Sequence, residues 1–309
     1  MKKTFLILAV AAMCGAAQAT ILRVNNTTGS GAPYSDLNAA IEAASAGDTI
    51  MIDGSPISYG DVTISKKLVL MGPGYWKVEN GISSEGASSA QLKKVTIEKP
   101  ADGLVLRGIY ISNVLTIKAP NVVINRCLLD YYITLNDNTA SKCIIHQNWL
   151  KGIKGGQSSY PSYAQITNNI FVNGNYDETI YYLNEAYIAY NTFAFSYGSY
   201  ADASSCTNCT FEKNIAKKFG TMSTCSLIDN YTYENTQYTN RNTDLTIKNQ
   251  KIEDTDILAG VTGRGAFAGD DPYVISGIPA GPNIEDITVP ATVEQGNTLN
   301  VTIKLGVQK

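Results

Sequence analysis

Ile124-Asn-Arg-Cys127, Ile145-His-Gln-Asn148, Ile166-Thr-Asn-Asn169, Ile188-Ala-Tyr-Asn191 and Phe211-Glu-Lys-Asn214 are five copies of one short pattern within Asn121 to Ala216. Their leading apolar residues lie 21, 21, 22 and 23 positions apart. A nearly fixed period of this length in a strand-forming sequence marks a solenoid in which each repeat is one turn of chain. The fourth position is Asn in four copies and Cys127 in the first. Asn tolerates left-handed backbone angles and bonds neighbouring backbone, so a tight turn is expected at each. Stacked turn on turn, these residues should form a ladder of side-chain amides. Two positions later Leu129, Leu150, Phe171, Phe193 and Ala216 make a second apolar column.

Toward the N-terminus the coils continue. Val62-Thr-Ile64, Val95-Thr-Ile97, Leu115-Thr-Ile117 and Ile133-Thr-Leu135 are near-copies that alternate inward apolar with outward Thr. A further apolar segment follows each: Leu68-Val-Leu70, Leu104-Val-Leu106, Val122-Val-Ile124 and Ile144-Ile145. Three short strands per turn predict an all-β, three-faced parallel β-helix. Some eight coils stacked ~4.8 Å apart would make a rod of ~40 Å. An insertion from Gly72 to Gln91 breaks the rhythm, and smaller excursions at Gly152–Ser162, Asn173–Thr179 and Ser196–Ser205 carry tyrosines. Upstream, Ser35-Asp36 opens a helix with Leu37, Ala40, Ile41 and Ala44 on one face, and Gly47 is expected to end it. Laid across the first coil, it would cap the core and the unpaired strand edge. Downstream, Gly263–Pro279 reads as an exit segment running back along the rod, and Ile287–Val289 with Leu299–Leu305 as a final strand pair.

The chain opens with Lys2-Lys3, an apolar run from Phe5 to Met13 and Ala17-Gln18-Ala19, the plan of a secretory signal peptide. The expected layout is a signal peptide at 1–19, strand and capping helix at 20–60, β-helix at 61–262, and return segment with β tail at 263–309. Cys14 opens a lipid-anchored alternative, against which stands the bulky Met13 before it. Without residues 1–19 the chain has 22 basic and 27 acidic residues. This balance gives no electrostatic footprint for nucleic acid. No later stretch is apolar enough to cross a bilayer, so the expected location is periplasmic, outer-surface or extracellular. Five cysteines remain: Cys127, Cys143, Cys206, Cys209 and Cys225. An odd count excludes complete internal pairing, and buried thiols or one disulfide near the end of the solenoid are expected. Cys206-Thr-Asn-Cys209 with Cys225 lacks a fourth ligand nearby, so no metal site is assigned.

Tyr34 to Asp48, Ile64 to Gly74 and the Asn turns together resemble the pectate-lyase-like superfamily of right-handed parallel β-helix proteins. The tail from Gly265 to Pro279 resembles an exported Gram-negative branch of it. The resemblance covers most of the chain and implies fold more than activity, because this fold hosts lyases, hydrolases, adhesins and spikes. Members that cleave pectate hold calcium on carboxylates and use Lys or Arg as the base, so calcium is the cofactor the resemblance would bring. The outward Asp clusters this requires are missing. Asp130 and Lys151 fall in register on adjacent coils, with Arg126 and His146 just before the same turn, and are the best catalytic candidates. Their bland alternative is a surface ion pair. His146 has no acid or nucleophile fixed beside it by sequence, and Glu253-Asp254-Thr-Asp256 and Asp270-Asp271 read as solvated turns. Tyr131, Tyr132, Tyr160, Tyr163 and Tyr182 are candidate sugar-binding rings, with loop packing as their alternative role. The expected function is polysaccharide binding at the cell envelope. A polysaccharide lyase or glycoside hydrolase, and a structural or adhesive surface protein, stand as alternatives.

Overall fold

A parallel ladder of three-residue strands fixes the geometry of the chain. In the computed structural model these strands are bracketed by left-handed corners. Gly103, Asn121, Lys142, Tyr163, Glu185, Asn208 and Thr224 stand two residues before successive strands. Gly108, Arg126, Gln147, Asn168, Tyr190, Lys213 and Asp229 stand just after them, all at positive φ. For a residue with a Cβ this conformation costs roughly 1–2 kcal/mol. The cost recurs on every turn, so the packing between turns must offset it. The expectation that the repeated Asn itself takes the left-handed angle is corrected here: the residue before it does. The Asn returns to negative φ, and its amide turns inward to stack on the next.

The structure describes residues 19–77, 88–173, 179–196, 203–216, 218–220, 222, 224–232, 263–279, 281–288 and 301–308. Residues 1–18, which hold most of the expected signal peptide and Cys14, the tip of the first insertion, Tyr176, Tyr197, Tyr200, Lys217 and the acidic run at 253–256 lie outside them. Within them the chain is an all-β parallel solenoid of about seven turns, one fewer than the period suggested. A first ladder joins ten strands, from Ile21–Val24 to Ser226–Ile228. A second runs from Gln91–Leu92 through Tyr110–Ile111, Ile170–Asn173 and Thr192–Ser196 to Tyr231–Thr232. A third runs from Val62–Ile64 through Val95–Ile97, Leu115–Ile117 and Ile180–Tyr181 to Ala203–Ser204. In the middle of the rod, Leu128–Leu135 and Trp149–Gly155 each bend from the second ladder into the third. A last bridge from Ala203 to Phe219 closes the seventh turn.

Inside, Ile50, Leu70, Leu106, Ile124, Ile145, Ile166, Ile188 and Phe211 form one file of fully buried side chains along the first ladder. The file on the second ladder holds Leu129, Leu150, Phe171 and Phe193, and the two phenylalanine rings stack at 4.7 Å. Between these ladders run the amides. Asn169 Oδ1 accepts from the backbone N–H and side-chain amide of Asn148 at 2.9 and 3.0 Å. Asn191 serves Asn169, Asn214 serves Asn191, and Asn230 serves Asn214 in the same way. Cys127, at the missing rung, still donates its N–H to Asn148. Asn230 extends the ladder beyond the repeats visible in sequence, because its turn is 16 residues long instead of 21 to 23.

At the N-terminal end the helix spans Leu37–Ala43, capped by Asp36, which accepts from Ala39 N–H. It ends before Gly47: Ala44 is already extended. Lys66 donates to the carbonyls of Ile41, Glu42 and Ala44 at 3.0, 2.7 and 2.8 Å, a cation on the negative end of the helix. The helix packs on the first strands of the rod, as a cap should.

The return segment does run back along the rod. Its residues meet the corner of successively earlier turns: Gly265 at Lys213, Ala266 at Thr192, Ala266 and Ala268 at Asn168, Asp271 at Gln147, Ile278 at Arg126 and Ser276 at Tyr75. Beneath it lies a second apolar core outside the rod, made by Tyr75, Leu128, Trp149, Ile170, Ala266 and Tyr273. The insertion Gly72–Trp76 supplies its floor. Gly277 is required there: a Cβ would strike the Tyr75 ring at 2.4 Å and the Arg126 carbonyl at 2.3 Å. Gly281–Thr288 then pairs antiparallel with Thr302–Gln308.

Two outcomes test this account. Asn169→Ala orphans the Asn148 N–H and one amide hydrogen of the Asn148 side chain, at about 1–3 kcal/mol for each buried group. The urea midpoint should fall with an unchanged slope, and a loss within error of zero would refute a stabilising ladder. The buried hydroxyls of Tyr75 and Tyr273 meet at 2.6 Å. Tyr273→Phe should therefore cost about 1–3 kcal/mol, while the double Phe variant recovers part of it, as a double-mutant cycle would report.

Candidate functional site

The outward column of the third ladder is Thr63, Thr96, Thr116, Thr134, Lys154, Tyr181 and Ser204, each in register with the next. The alternation that buries Val62 and Ile64, Val95 and Ile97, Leu115 and Ile117, and Ile133 and Leu135 turns these four threonines outward. Their hydroxyls thus repeat at the rung spacing of ~4.8 Å, each a donor and an acceptor. Farther along, the column turns cationic and aromatic at Lys154 and Tyr181.

Beside that transition the tyrosines connect. Tyr131 meets Tyr132 edge-on at 6.0 Å, Tyr132 meets Tyr181 at 6.3 Å, Tyr181 meets Tyr182 at 5.0 Å, and Tyr182 meets Tyr160 at 5.5 Å. Five rings thus form one ribbon across neighbouring coils. Lys151 Nζ stands 5.4 Å from the centre of the Tyr131 ring, and Lys154 Nζ stands 5.6 Å from that of Tyr181. At such distances an ammonium is attracted to the ring face. Gln157 donates to the Tyr182 hydroxyl at 3.0 Å. Tyr132 is buried and anchors the ribbon, whereas Tyr131 is 46% exposed and offers its ring to solvent. The anchor depends on Gly152, where a Cβ would lie 2.6 Å from the Tyr132 ring and 2.4 Å from the Thr179 carbonyl.

Asp130 and Lys151 do not pair. A bulge sets Asp130 and Tyr131 opposite the single residue Lys151, between the matched pairs Leu129–Leu150 and Tyr132–Gly152. Lys151 consequently lies over Tyr131, and Asp130 accepts a hydrogen bond from the Tyr110 hydroxyl. Burial first, and then the Asp130 carboxylate, hold Tyr110 protonated well above the usual phenol range. The slip shows in sequence as one extra residue between Leu129 and Ile133 relative to Leu150 and Ile153, and counting only from the first of these columns to Asp130 and Lys151 misses it.

Arg126 is also drawn away. Its Nε donates to Gln147 at 2.7 Å and its Nη1 to the Ile278 carbonyl at 2.8 Å, beneath the return segment. Burial lowers its pKa, with Asp271 opposing. His146 joins Thr167 Oγ1 at 2.8 Å through Nδ1 and Asp271 at 3.0 Å through Nε2. Gln147 Nε2 donates to the same carboxylate at 2.7 Å and to the Pro272 carbonyl at 2.6 Å. Asp271 therefore ties strap to rod from a bend in which its side chain stays 70% exposed, the solvated position expected. Its link to His146 spans 125 positions, beyond any local pattern.

Of the five candidate tyrosines, Tyr131, Tyr132, Tyr160 and Tyr182 belong to the ribbon. Tyr163 does not: it is an exposed corner residue, and its hydroxyl bonds Glu185. Tyr181 and Lys154 complete the face. Both occupy the outward position of the Val-Thr-Ile repeat, and alignment of the later coils to that repeat would have found them. Among the described residues no group of three or more His, Cys, Asp or Glu is placed to hold a metal ion. No helix among them is long and apolar enough to cross a membrane. Comparison of the chain with protein-family models, with curated proteins and with solved structures finds no match.

Gly152→Ala should push Tyr132 out of its seat and cost about 1–3 kcal/mol by overpacking. Loss of tyrosine near-ultraviolet circular dichroism with the far-ultraviolet spectrum retained would be the signature. An unchanged near-ultraviolet spectrum would show that the ribbon does not need this close approach.

Proposed function

We propose that the chain is an exported protein that binds an extended polysaccharide along the outer face of the third ladder. The observation that carries this reading is the continuity of the threonine column with the tyrosine ribbon. Sugar rings present apolar C–H faces that aromatic rings cover, and hydroxyl edges that threonines, Gln157 and lysines can bond. The sheet holds the threonines, Lys154 and Tyr181 without the ordering cost that a flexible loop would pay on binding. The resemblance to pectate-lyase-like β-helices supports the same class of ligand, and with it the placement at the cell envelope.

A lyase or hydrolase acting through Asp130, Lys151 and Arg126 draws no support from the arrangement. The acid is engaged by Tyr110, the lysine sits on an aromatic face, and the arginine is sealed under the strap. A purely structural or adhesive role would leave the threonine column and the ribbon without a ligand.

Calorimetric titration with a panel of neutral and acidic polysaccharides, with and without calcium, tests the proposal. Tyr131→Ala and Tyr181→Ala should each weaken binding roughly 2- to 13-fold, on the scale of one aromatic contact of ~0.5–1.5 kcal/mol. Tyr163→Ala, off the ribbon, should leave affinity unchanged. Absence of heat and of tyrosine fluorescence change with every polymer would refute ligand binding at this face. Mass spectrometry of the soluble products decides the enzymatic alternative, and no shortened or unsaturated oligosaccharides are expected.

A further inference from the structure

The five described cysteines are all free and fall into two kinds. Cys127 and Cys143 are solitary core residues, their sulfurs directed at carbonyl oxygens of Asn125 and of Ala119 and Ala140. Burial pushes both thiols up to about 12. They are inert space-fillers. Cys206, Cys209 and Cys225 instead gather at the C-terminal end of the rod.

Within this trio, Cys209 and Cys225 hold the same place on consecutive turns, immediately before the paired residues Thr210 and Ser226. The Ser226 N–H reaches the Cys209 carbonyl at 2.8 Å, and the Cys209 N–H reaches the Cys225 sulfur at 3.4 Å. Adjacent rungs stand ~4.8 Å apart, within the range of about 4.4–6.8 Å between the Cα atoms of a disulfide. Cys225 is half-buried, while Cys206 and Cys209 are buried, so a reagent from solvent meets Cys225 first. The Cys209 sulfur accepts from the Cys206 thiol and from the Ala186 N–H at 3.3 Å, which favours its thiolate. The Cys206 proton is correspondingly held in place.

We propose that Cys225 and Cys209 are an oxidation site, closed to a disulfide by exchange with a disulfide oxidant. The Cys225 thiol releases its proton to solvent, and its thiolate attacks one sulfur of the oxidant, expelling the other as a thiolate. Cys209 gives up its own proton, its thiolate attacks the Cys225 sulfur of this mixed disulfide, and the expelled second thiolate, like the first, takes a proton from solvent. Two cysteine thiols are oxidised and one disulfide is reduced to two thiols. The link joins the last two turns of the first ladder. There Leu227, which continues the inward file after Phe211, is 54% exposed. The link staples the C-terminal end of the described coils.

The test incubates the folded chain with oxidised glutathione, unfolds it in an alkylating agent, and maps the peptides by mass spectrometry. The expected product links Cys209 to Cys225, with Cys127, Cys143 and Cys206 alkylated. Burial raises the Cys225 thiol above its ordinary range, so the rate should climb as pH rises through the alkaline range. Cys206→Ser should keep the cross-link, and Cys225→Ser should abolish it. A Cys206–Cys209 link, glutathione persisting on Cys225, or five alkylated cysteines would each overturn the assignment. The peptide map of the unaltered chain decides the matter even where a variant fails to fold.

Discussion

The rod depends on its column of buried amides. Each interior Asn fills the corner between the first and second ladders, satisfies a backbone N–H of the preceding turn, and passes its own amide hydrogen to the next Asn. Buried peptide groups left unpaired would cost more than any single contact here returns, so this column sets how closely the turns stack. It also explains why the six non-glycine corners that follow the strands of the first ladder accept left-handed backbone. The strain is local, whereas the hydrogen bonds and the stacked apolar files behind it repeat on every rung.

Once turns stack in register, each outward position becomes a line along the axis. The threonine file is a product of that translation, and so is the ribbon where Lys154 and Tyr181 replace threonine. A bulge after Leu129 then decides which groups meet. It moves Lys151 from Asp130 to the face of Tyr131, turning an ion pair suggested by counting into part of an aromatic surface. The opposite corner has another use. There Arg126, Gln147, Asn168 and Lys213 present polar groups to the return segment, which covers a second apolar core. Of the charged residues that looked reactive in sequence, Arg126 and His146 hold this strap, while Asp130 and Lys151 meet Tyr110 and Tyr131.

Cysteine chemistry follows the same translation. Residues at one position on consecutive turns become neighbours at rung spacing, so Cys209 and Cys225 approach each other although 16 residues separate them. At Cys127 the thiol merely replaces an Asn at the first rung. Position along the rod, not residue type, separates the inert cysteines from the reactive ones.

Sequence alone determined the solenoid, its three strands per turn, the inward files, the Asn column and the direction of the exit segment. All of these follow from local rules that repeat with one period, so each copy reinforces the others. It located Tyr131, Tyr132, Tyr160 and Tyr182 as candidates but could not join them or separate them from Tyr163. Only the tertiary structure decided the left-handed residue at each corner, the bulge that uncouples Asp130 from Lys151, and the ties from Arg126, His146 and Gln147 to a segment some 125 to 150 residues away. A one-residue slip shows in sequence only as a longer step from Leu129 to Ile133 than from Leu150 to Ile153. That step does not say which side chains it brings together, and a strap that binds through side chains and carbonyls has no period to read.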